Sequence, residues 1–401
     1  MQILFIASRI PFPLVQGDRL VCYRRLKALS QHHQITLLTF YQSQAELQHL
    51  HQIEGMCHKI HLVHLPKWKS AYNCATNIVA AHRPFQVAYY KSAEFQATLD
   101  RITSETKFDL AHYFLLRMAE YRVPSYLTQI IELIDSMQAN LSSRLKIEKP
   151  ISKILIREEL KRITQYEPTV VNNFRNAILV SDLDAEFFTQ SSKKIDIIPL
   201  GIDIDIFRPQ PSEPHDTVRL IFAGHMSYSP NIYAVQWFVD NCWTKLQQLC
   251  PNTELIIAGS DAPPEIVKLG ERENITVTGH VDSMADTLAQ ADIAVIPMQS
   301  GSGMQNKVLE AMSCGLPTIV TTCGLGAITA VSGEHLVVAD APDDFINQIV
   351  KLAKNQQERA EIGQRARLLI EEKYSWHYAD QQIESIYESI KNEGLVLTTS
   401  L

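Results

Sequence analysis

Short apolar runs recur along this 401-residue chain in two successive series, each run closed by a turn residue and followed by a stretch with helical spacing. The first series comprises Ile3 to Ala7, QITLLTF, HKIHLVHL, FDLAHYF, QIIELID and AILVSD. The second comprises VRLIFAG, TELIIAG, ITVTG, IAVIP and PTIVTT. Runs this apolar leave no face for water, so they read as strands buried on both sides. Their alternation with helices then predicts an α/β fold with parallel sheets covered by helices. In the first series, a loop from Arg9 to Arg19, punctuated by Pro11, Pro13 and Gly17, leads into a helical pattern over Leu20 to Leu29, and a further helical stretch starts at about Gln44. The series are separated by IDIIPLGIDIDIFRPQPSEPHD, whose prolines and acidic residues suit an inter-domain linker. Three strands of the second series end in glycine and one in proline, at the carboxyl edge where open α/β sheets bind ligands. Helices are expected from about Asp343, over Gln356 to Lys373, and over Ala379 to Lys391.

Composition narrows the function classes. A net charge of -7 gives no electrostatic support for a general nucleic-acid partner. The N-terminal MQILFIASRIPFP goes straight into a strand without the features of a signal peptide. No apolar run approaches the ~18–20 residues that span a bilayer. Seven scattered cysteines, none spaced C-x-x-C, argue against a disulfide framework or zinc ribbon and fit a reducing compartment. The expected location is cytoplasmic.

Chemistry concentrates in IAVIPMQSGSGMQNKVLEAMSCGLPTIVTT. A strand ends at Pro297, a loop holds Gly301 and Gly303, and a helix is expected to start near Ser302, with Ser302 and Gln305 at capping-box spacing. Backbone N–H groups left free at such a helix start bind anions. Lys307, in the first turns, adds a full positive charge for a diphosphate. Glu310, three residues on, offers a carboxylate that accepts two hydrogen bonds from a vicinal diol such as a ribose. The plainer alternative is a glycine loop before an ordinary helix carrying a surface Lys307–Glu310 pair.

NKVLEAMSCGLPTIVT resembles the donor-site helix of the retaining family-four glycosyltransferases, most nearly the sugar transferases associated with exosortase and exopolysaccharide loci. PFPLVQGDR, IIPLGIDIDIF, FAGHMSYSPNIYAVQWF, VTGHVDSMADTLAQADIAVIPM and YSWHYADQQIESIYESI agree in order along the chain. The resemblance implies a GT-B fold: two Rossmann-like doubly wound domains facing across a cleft. Residues 1–198 would form the acceptor-side domain, with the helix 379–401 packing back on it, and residues 199–378 the nucleotide-sugar domain.

It also implies roles. Glu310 takes the place of the family glutamate that contacts the donor ribose. The first glutamate of the family motif falls at Ser302 here, so backbone N–H groups around Gly303, Met304 and Gln305, leading into Asn306 and Val308, are left to meet the transferred sugar. The arginine and lysine that relatives carry after the first strand of the second domain are replaced by His225, following Gly224, and by Asn231, which leaves Lys307 as the main cation for the diphosphate. Gly279, His280 and Val281 would lie against the nucleobase, with Pro297 and Met298 lining the same pocket. His280 reads equally well as a loop histidine. Gly17 would approach the diphosphate, where the missing Cβ helps. Arg19 either adds charge there or pairs with Asp18 at a helix start. Asp135 ends QIIELID and either orients an acceptor hydroxyl or caps the next helix. The implied catalytic set is Lys307, Glu310 and Asp135, with no protein nucleophile, no metal and no cofactor beyond the UDP- or GDP-linked sugar substrate.

His58, His61 and His64 alternate faces of one strand and are not read as metal ligands. The segment RLKIEKPISKILIREELKR, Arg144 to Arg162, sets Ile147, Ile151, Ile154 and Leu155 at helical spacing among basic residues. It suits a solvated helix on its own domain or, with Lys67, Trp68 and Lys69, peripheral contact with anionic lipid. The implied reaction moves a sugar, with retention, to a glycan or lipid-linked acceptor in exopolysaccharide or glycoconjugate assembly. Two rivals are a catalytically silent nucleotide-sugar-binding subunit and a GT-B nucleotide-sugar epimerase. A dinucleotide dehydrogenase is disfavoured, because SRIPFPLVQGDR replaces the G-x-G-x-x-G turn.

Overall fold

In the computed structural model, the described residues are 1–14, 17–80, 83–147, 150–188, 191–211, 215–301 and 303–399. The chain divides into two compact units, Met1–Ile198 with Asp380–Leu401, and Pro199–Ala379. Each is built on one wholly parallel sheet.

The first unit's strands are β1 Gln2–Ala7, β2 Gln34–Tyr41, β3 Lys59–His64, β4 Leu110–Phe114, β5 Thr128–Ile134, β6 Asn176–Leu179 and β7 Lys194–Ile197, in the order β3-β2-β1-β4-β5-β6-β7. All five residues of β4 are buried, as expected of a strand covered on both faces. β7 lies where the sequence reads as the start of the linker. Its burial is only partial, which is why it lacks the apolar signature of the inner strands. The helix at the N-terminal loop is Gly17–Leu29, three residues longer at its start than the periodicity indicates. The stretch beginning at Gln44 shrinks to a short helix, Gln44–Leu47, followed by 3₁₀ turns. The basic stretch at 144–162 is divided between Met137–Ile147 and Pro150–Val171, with Pro150 opening the second helix.

A buried polar network ties the 376–399 helix to this unit. Arg25 grips Glu132 through Nη2–Oε1 at 2.8 Å and Nε–Oε2 at 3.0 Å. His112 places Nε2 3.2 Å from Glu132 Oε2, and its Nδ1 lies 2.6 Å from the hydroxyl of Tyr387. Burial pushes the Glu132 carboxyl up, but the Arg25 guanidinium and His112 outweigh it and hold the group at about 2.

The second unit's strands are β8 Val218–Ala223, β9 Thr253–Ala258, β10 Ile275–Gly279, β11 Ile293–Ile296, β12 Thr318–Val320 and β13 Val337–Val338, in the order β10-β9-β8-β11-β12-β13. The two-residue β13 is too short to show a period in sequence. The later helices run Pro342–Lys354, Gln356–Lys373 and Trp376–Thr399. Chain order reverses direction across the sheet between β8 and β11. Such a switch point leaves an open crevice beyond the carboxyl ends of its two strands.

Candidate functional site

Gly224 follows β8 and Pro297 follows β11, so the second unit's switch point collects the loops that continue from both. After β11 the chain turns through Gly301 and Gly303 into the helix Asn306–Ser313. That helix begins three residues later than the capping-box spacing indicates. Its N-cap is Gln305, whose side chain makes no cap bond, and Ser302 lies outside the described residues. The Gln305 amide is engaged elsewhere, with Oε1 accepting from Lys307 Nζ at 3.2 Å.

The helix is fixed by its inner face and its far end. Val308, Leu309, Ala311 and Met312 are buried in the unit's core, each large side chain contributing about 1.5–3 kcal/mol. At the C-terminal end, Arg367 donates to Ser313 O at 2.9 Å, Phe207 O at 2.6 Å and Ile204 O at 3.0 Å. It thereby satisfies a terminal carbonyl and places a cation at the negative end of the helix.

Lys307 and Glu310 emerge on the other face, at the switch point. A Cβ on Gly224 would lie 3.3 Å from Lys307 Cε and 2.8 Å from Asn231 Nδ2, so both side chains pack over the glycine. Nζ sits 5.9 Å above the Phe222 ring and 3.8 Å from Met298 Sδ. Burial lowers the Lys307 ammonium to about 8, opposed by the Glu310 charge. Burial raises the Glu310 carboxyl to about 7, opposed by Lys307. Each group is held part-way to its neutral form. Among the described residues no ion pair within 4 Å joins them, so the i,i+3 surface-pair alternative is not what the geometry gives.

Asn231 is buried, donates to His225 O at 2.9 Å, and leaves its Oδ1 without a partner. His225 points Nε2 at Asp261, 3.1 Å away, and Nδ1 at Ser227 Oγ, 2.9 Å away. Gly279 is tied to this edge through Gly259 N–H, which donates to its carbonyl at 3.1 Å. His280 is exposed and Val281 half-buried at the end of β10. Met298 and Val308 turn their side chains into the core and Pro297 is buried, which leaves backbone atoms as what they offer a ligand. Met304 also packs against the core.

In the first unit, the predicted residues gather at the carboxyl ends of β1, β4 and β5. Arg19 lines a small cavity with Ser8, Arg9, Asp18, Phe114 and Leu115. It does not take Asp18 as an ion-pair partner: the Asp18 carboxylate accepts from the Arg9 guanidinium, while Arg19 Nη1 donates to Phe12 O at 3.2 Å. Gly17 opens the 17–29 helix, and a Cβ there would meet nothing within 4 Å. Asp135 follows β5, and burial with the nearby Asp184 charge raises it to about 6. It does not cap the next helix. That task falls to Ser136, whose Oγ accepts from Ala139 N–H at 3.2 Å, and to Glu167, which accepts from the N–H groups of Met137 at 2.7 Å and Gln138 at 3.2 Å.

Sequence reasoning passes over Ser227, Gly259 and Asp261. The only linear signal for the last two is the GSD that closes TELIIAGSD, a turn sequence of ordinary appearance.

Residues 217–355 match the family model described as glycosyl transferases group 1. Among curated proteins, the chain is 21% identical over 395 residues to an uncharacterized 44.6 kDa protein in the cps region of Klebsiella pneumoniae, covering 93% of this chain and 96% of that one. It is 23% identical over 257 residues to a lipopolysaccharide 1,2-N-acetylglucosaminetransferase of Salmonella typhimurium, covering 57% of this chain and 65% of that one. Among solved structures, HepE of Anabaena in complex with UDP superposes with a TM-score of 0.68 at 15% identity, over 97% of this chain and 100% of that one. The second unit therefore carries a segment of the glycosyl transferases group 1 type, on a chain with the GT-B fold of two parallel-sheet Rossmann-like domains.

Proposed function

We propose that this glycosyltransferase takes a UDP- or GDP-linked sugar at the β8/β11 switch point and transfers the sugar, with retention, to a hydroxyl of a glycan or lipid-linked acceptor. The observation that carries the reading is Lys307 packed over Gly224, with Glu310 one turn along the same helix and burial disfavouring the charge of each. Lys307 and the N–H groups at the start of the 306–313 helix meet the diphosphate, and Glu310 accepts from the ribose hydroxyls. The bond from the sugar C1 to the phosphate oxygen breaks while the acceptor oxygen bonds C1 on the same face. The acceptor proton passes to the departing phosphate oxygen. Stabilisation of the leaving diphosphate is then the main catalytic term. Asp135, buried and raised to about 6, is the acceptor-side polar group. Because Lys307 and backbone N–H groups supply the positive charge, chelation with EDTA is expected to leave turnover unchanged.

Support for a polysaccharide or glycolipid product comes from the relatives' names and from one surface of the first unit. Trp68 is 72% exposed on the helix Lys67–Ala80, and Ile154 is 67% exposed on Pro150–Val171. Arg162 joins these helices by donating to Asn77 O at 3.4 Å. Exposed apolar groups among Lys67, Lys69, Lys153 and Lys161 suit an anionic bilayer carrying a lipid-linked acceptor. Flotation with anionic liposomes at low salt tests this, and failure to recover protein would count against it.

The donor site is tested by calorimetric titration with UDP and GDP. Wild type is expected to bind one of them. Lys307→Ala and Glu310→Ala are each expected to weaken it by about 1–3 kcal/mol. No binding of either nucleotide at millimolar concentration would overturn the assignment. Retained binding without transfer to any acceptor would instead favour a silent subunit.

A further inference from the structure

The connection from β3 to β4 in the first unit forms a pocket that the donor and acceptor residues above do not use. One wall is the helix Lys67–Ala80. The other is the segment from Arg83 to Ala93, which holds the helix Phe85–Tyr89 and the start of Ala93–Glu105. Two amides of the first helix, four residues apart and so on one face, pin that segment at both ends. Asn73 Nδ2 donates to Lys91 O at 2.8 Å, and Asn77 Nδ2 to Arg83 O at 2.8 Å. Arg162 adds a third tie, from Nη1 to Arg83 O at 3.1 Å. The volume held between the walls is about 510 Å3, within the ~300–1,000 Å3 of small-molecule sites.

The lining is polar and carries charge of one sign. Lys69, Arg83 and Lys91 line it with Tyr72, Asn73 and Thr76, and no carboxylate is among the lining residues. Arg83 has a partner in Glu120, which accepts from Nε at 2.7 Å. Neither Lys69 nor Lys91 forms an ion pair among the described residues. Lysines act on phosphate as point charges, and two unpaired ones at one pocket suit a dianion better than the single charge of a carboxylate. Phosphate alone would leave most of the volume empty. Tyr72, 64% exposed, presents its ring at the mouth, and Thr76 donates its hydroxyl to Tyr72 O at 3.1 Å, which leaves that oxygen to accept. An aromatic face beside such groups matches a sugar ring, apolar on its faces and polar at its rim. Trp68, four residues earlier on the same helix face, joins the pocket to the surface read above as meeting a bilayer.

We propose that this pocket is a second binding site of the chain and takes a phosphorylated sugar. Lys69 and Lys91 meet the phosphate, Arg83 stands third, and the Tyr72 ring carries the sugar face. That the ligand is the phosphate-bearing end of the acceptor rests on the transferase reading above; the site itself does not. The same chemistry comes from a sugar carried on a polyprenyl diphosphate or from a soluble sugar phosphate, and the two sources differ in whether a bilayer presents the ligand.

The experiment is calorimetric titration with glucose 6-phosphate, glucose and inorganic phosphate, with UDP or GDP present to occupy the donor site and thermal unfolding as the check on folding. Wild type is expected to bind glucose 6-phosphate more tightly than either fragment. Lys69→Gln combined with Lys91→Gln is expected to weaken it about tenfold or more, while Lys161→Gln, on the 150–171 helix outside the pocket, keeps it. Tyr72→Ala should weaken the sugar phosphate and leave inorganic phosphate unchanged. The inference is overturned if glucose 6-phosphate does not bind at millimolar concentration, or if the folded double variant binds it as wild type does. Inorganic phosphate binding as tightly as the sugar phosphate overturns it too. Phosphatidylcholine vesicles carrying a polyprenyl diphosphate sugar separate the sources. Recruitment above that to phosphatidylglycerol vesicles, lost in the double variant, assigns a lipid-borne ligand; equal recruitment assigns a soluble one. UDP and GDP should bind the double variant as they bind wild type. If wild type binds neither nucleotide and the pocket result holds, the donor reading falls and this site stands. If a nucleotide binds and the double variant keeps glucose 6-phosphate, this inference falls alone.

Discussion

At the scale of single residues, the site is marked by charges kept in surroundings that disfavour them. Glu310 is the clearest case. Its folded value of about 7 lies above the ordinary carboxylate value of 4.5, so between those pH values the native state holds more protons than the unfolded chain. Stability from this group therefore falls as pH rises from 4.5 to 7 and stays low above 7. Glu310→Gln should raise the melting temperature of the ligand-free protein by about 2–4 °C at pH 8, corresponding to on the order of 1 kcal/mol after allowance for solvent screening, and leave it nearly unchanged at pH 5. A melting-temperature change independent of pH would show that the carboxylate is not strained. Lys307 runs the other way: with a folded value of about 8 against 10.5, its penalty is present below pH 8 and fades as pH rises toward 10.5. A pair that each weakens the empty fold is what a site held ready for a charged ligand looks like.

At the scale of elements, the strand ends and the helix Gln356–Lys373 were legible, and the start of the 306–313 helix was not. VRLIFAG, TELIIAG and IAVIP announce β8, β9 and β11 because strands buried on both faces must be continuously apolar and must stop where the chain turns. The 306–313 helix could not be dated the same way, since its start is set by where a glycine loop lets go rather than by a capping side chain. Asp261 was invisible for a related reason: its partner His225 lies thirty-six positions away by number and is brought to it by the parallel pairing of β8 and β9, not by any local pattern. Two substitutions separate local roles. Gly224→Ala puts a methyl against Lys307 Cε, the end of a flexible side chain, and against Asn231, which is buried and hydrogen-bonded to the His225 carbonyl. It should lower nucleotide affinity by about tenfold and lower stability as Asn231 gives way. Gly259→Ala meets the Gly224 carbonyl at 1.9 Å, with φ at 145, so backbone must shift. That variant should unfold several degrees lower by circular dichroism, and an unchanged melting temperature would contradict the packing described. Removing Arg367, which holds the linker carbonyls and the end of the 306–313 helix, should likewise destabilise the second unit by about 2–3 kcal/mol.

For the whole molecule, the instructive feature is the buried contact between Tyr387 and His112, which recruits the far end of the chain into the first unit. Tyr387→Phe should cost about 1–2 kcal/mol by leaving a buried imidazole nitrogen unpartnered, read as a lower melting temperature with circular dichroism otherwise unchanged. The consequence reaches into biosynthesis. Since synthesis runs from the N-terminus, residues 1–198 emerge long before the segment that completes their core. Until then Arg25, Glu132 and His112 lack their cover, and the intervening residues 199–379 have time to fold on their own. The second unit is, in topological terms, an insertion inside the first. A nascent chain halted before residue 380 should therefore show a protease-resistant second unit beside a first unit still open to cleavage, with the order of maturation reversed from the order of synthesis.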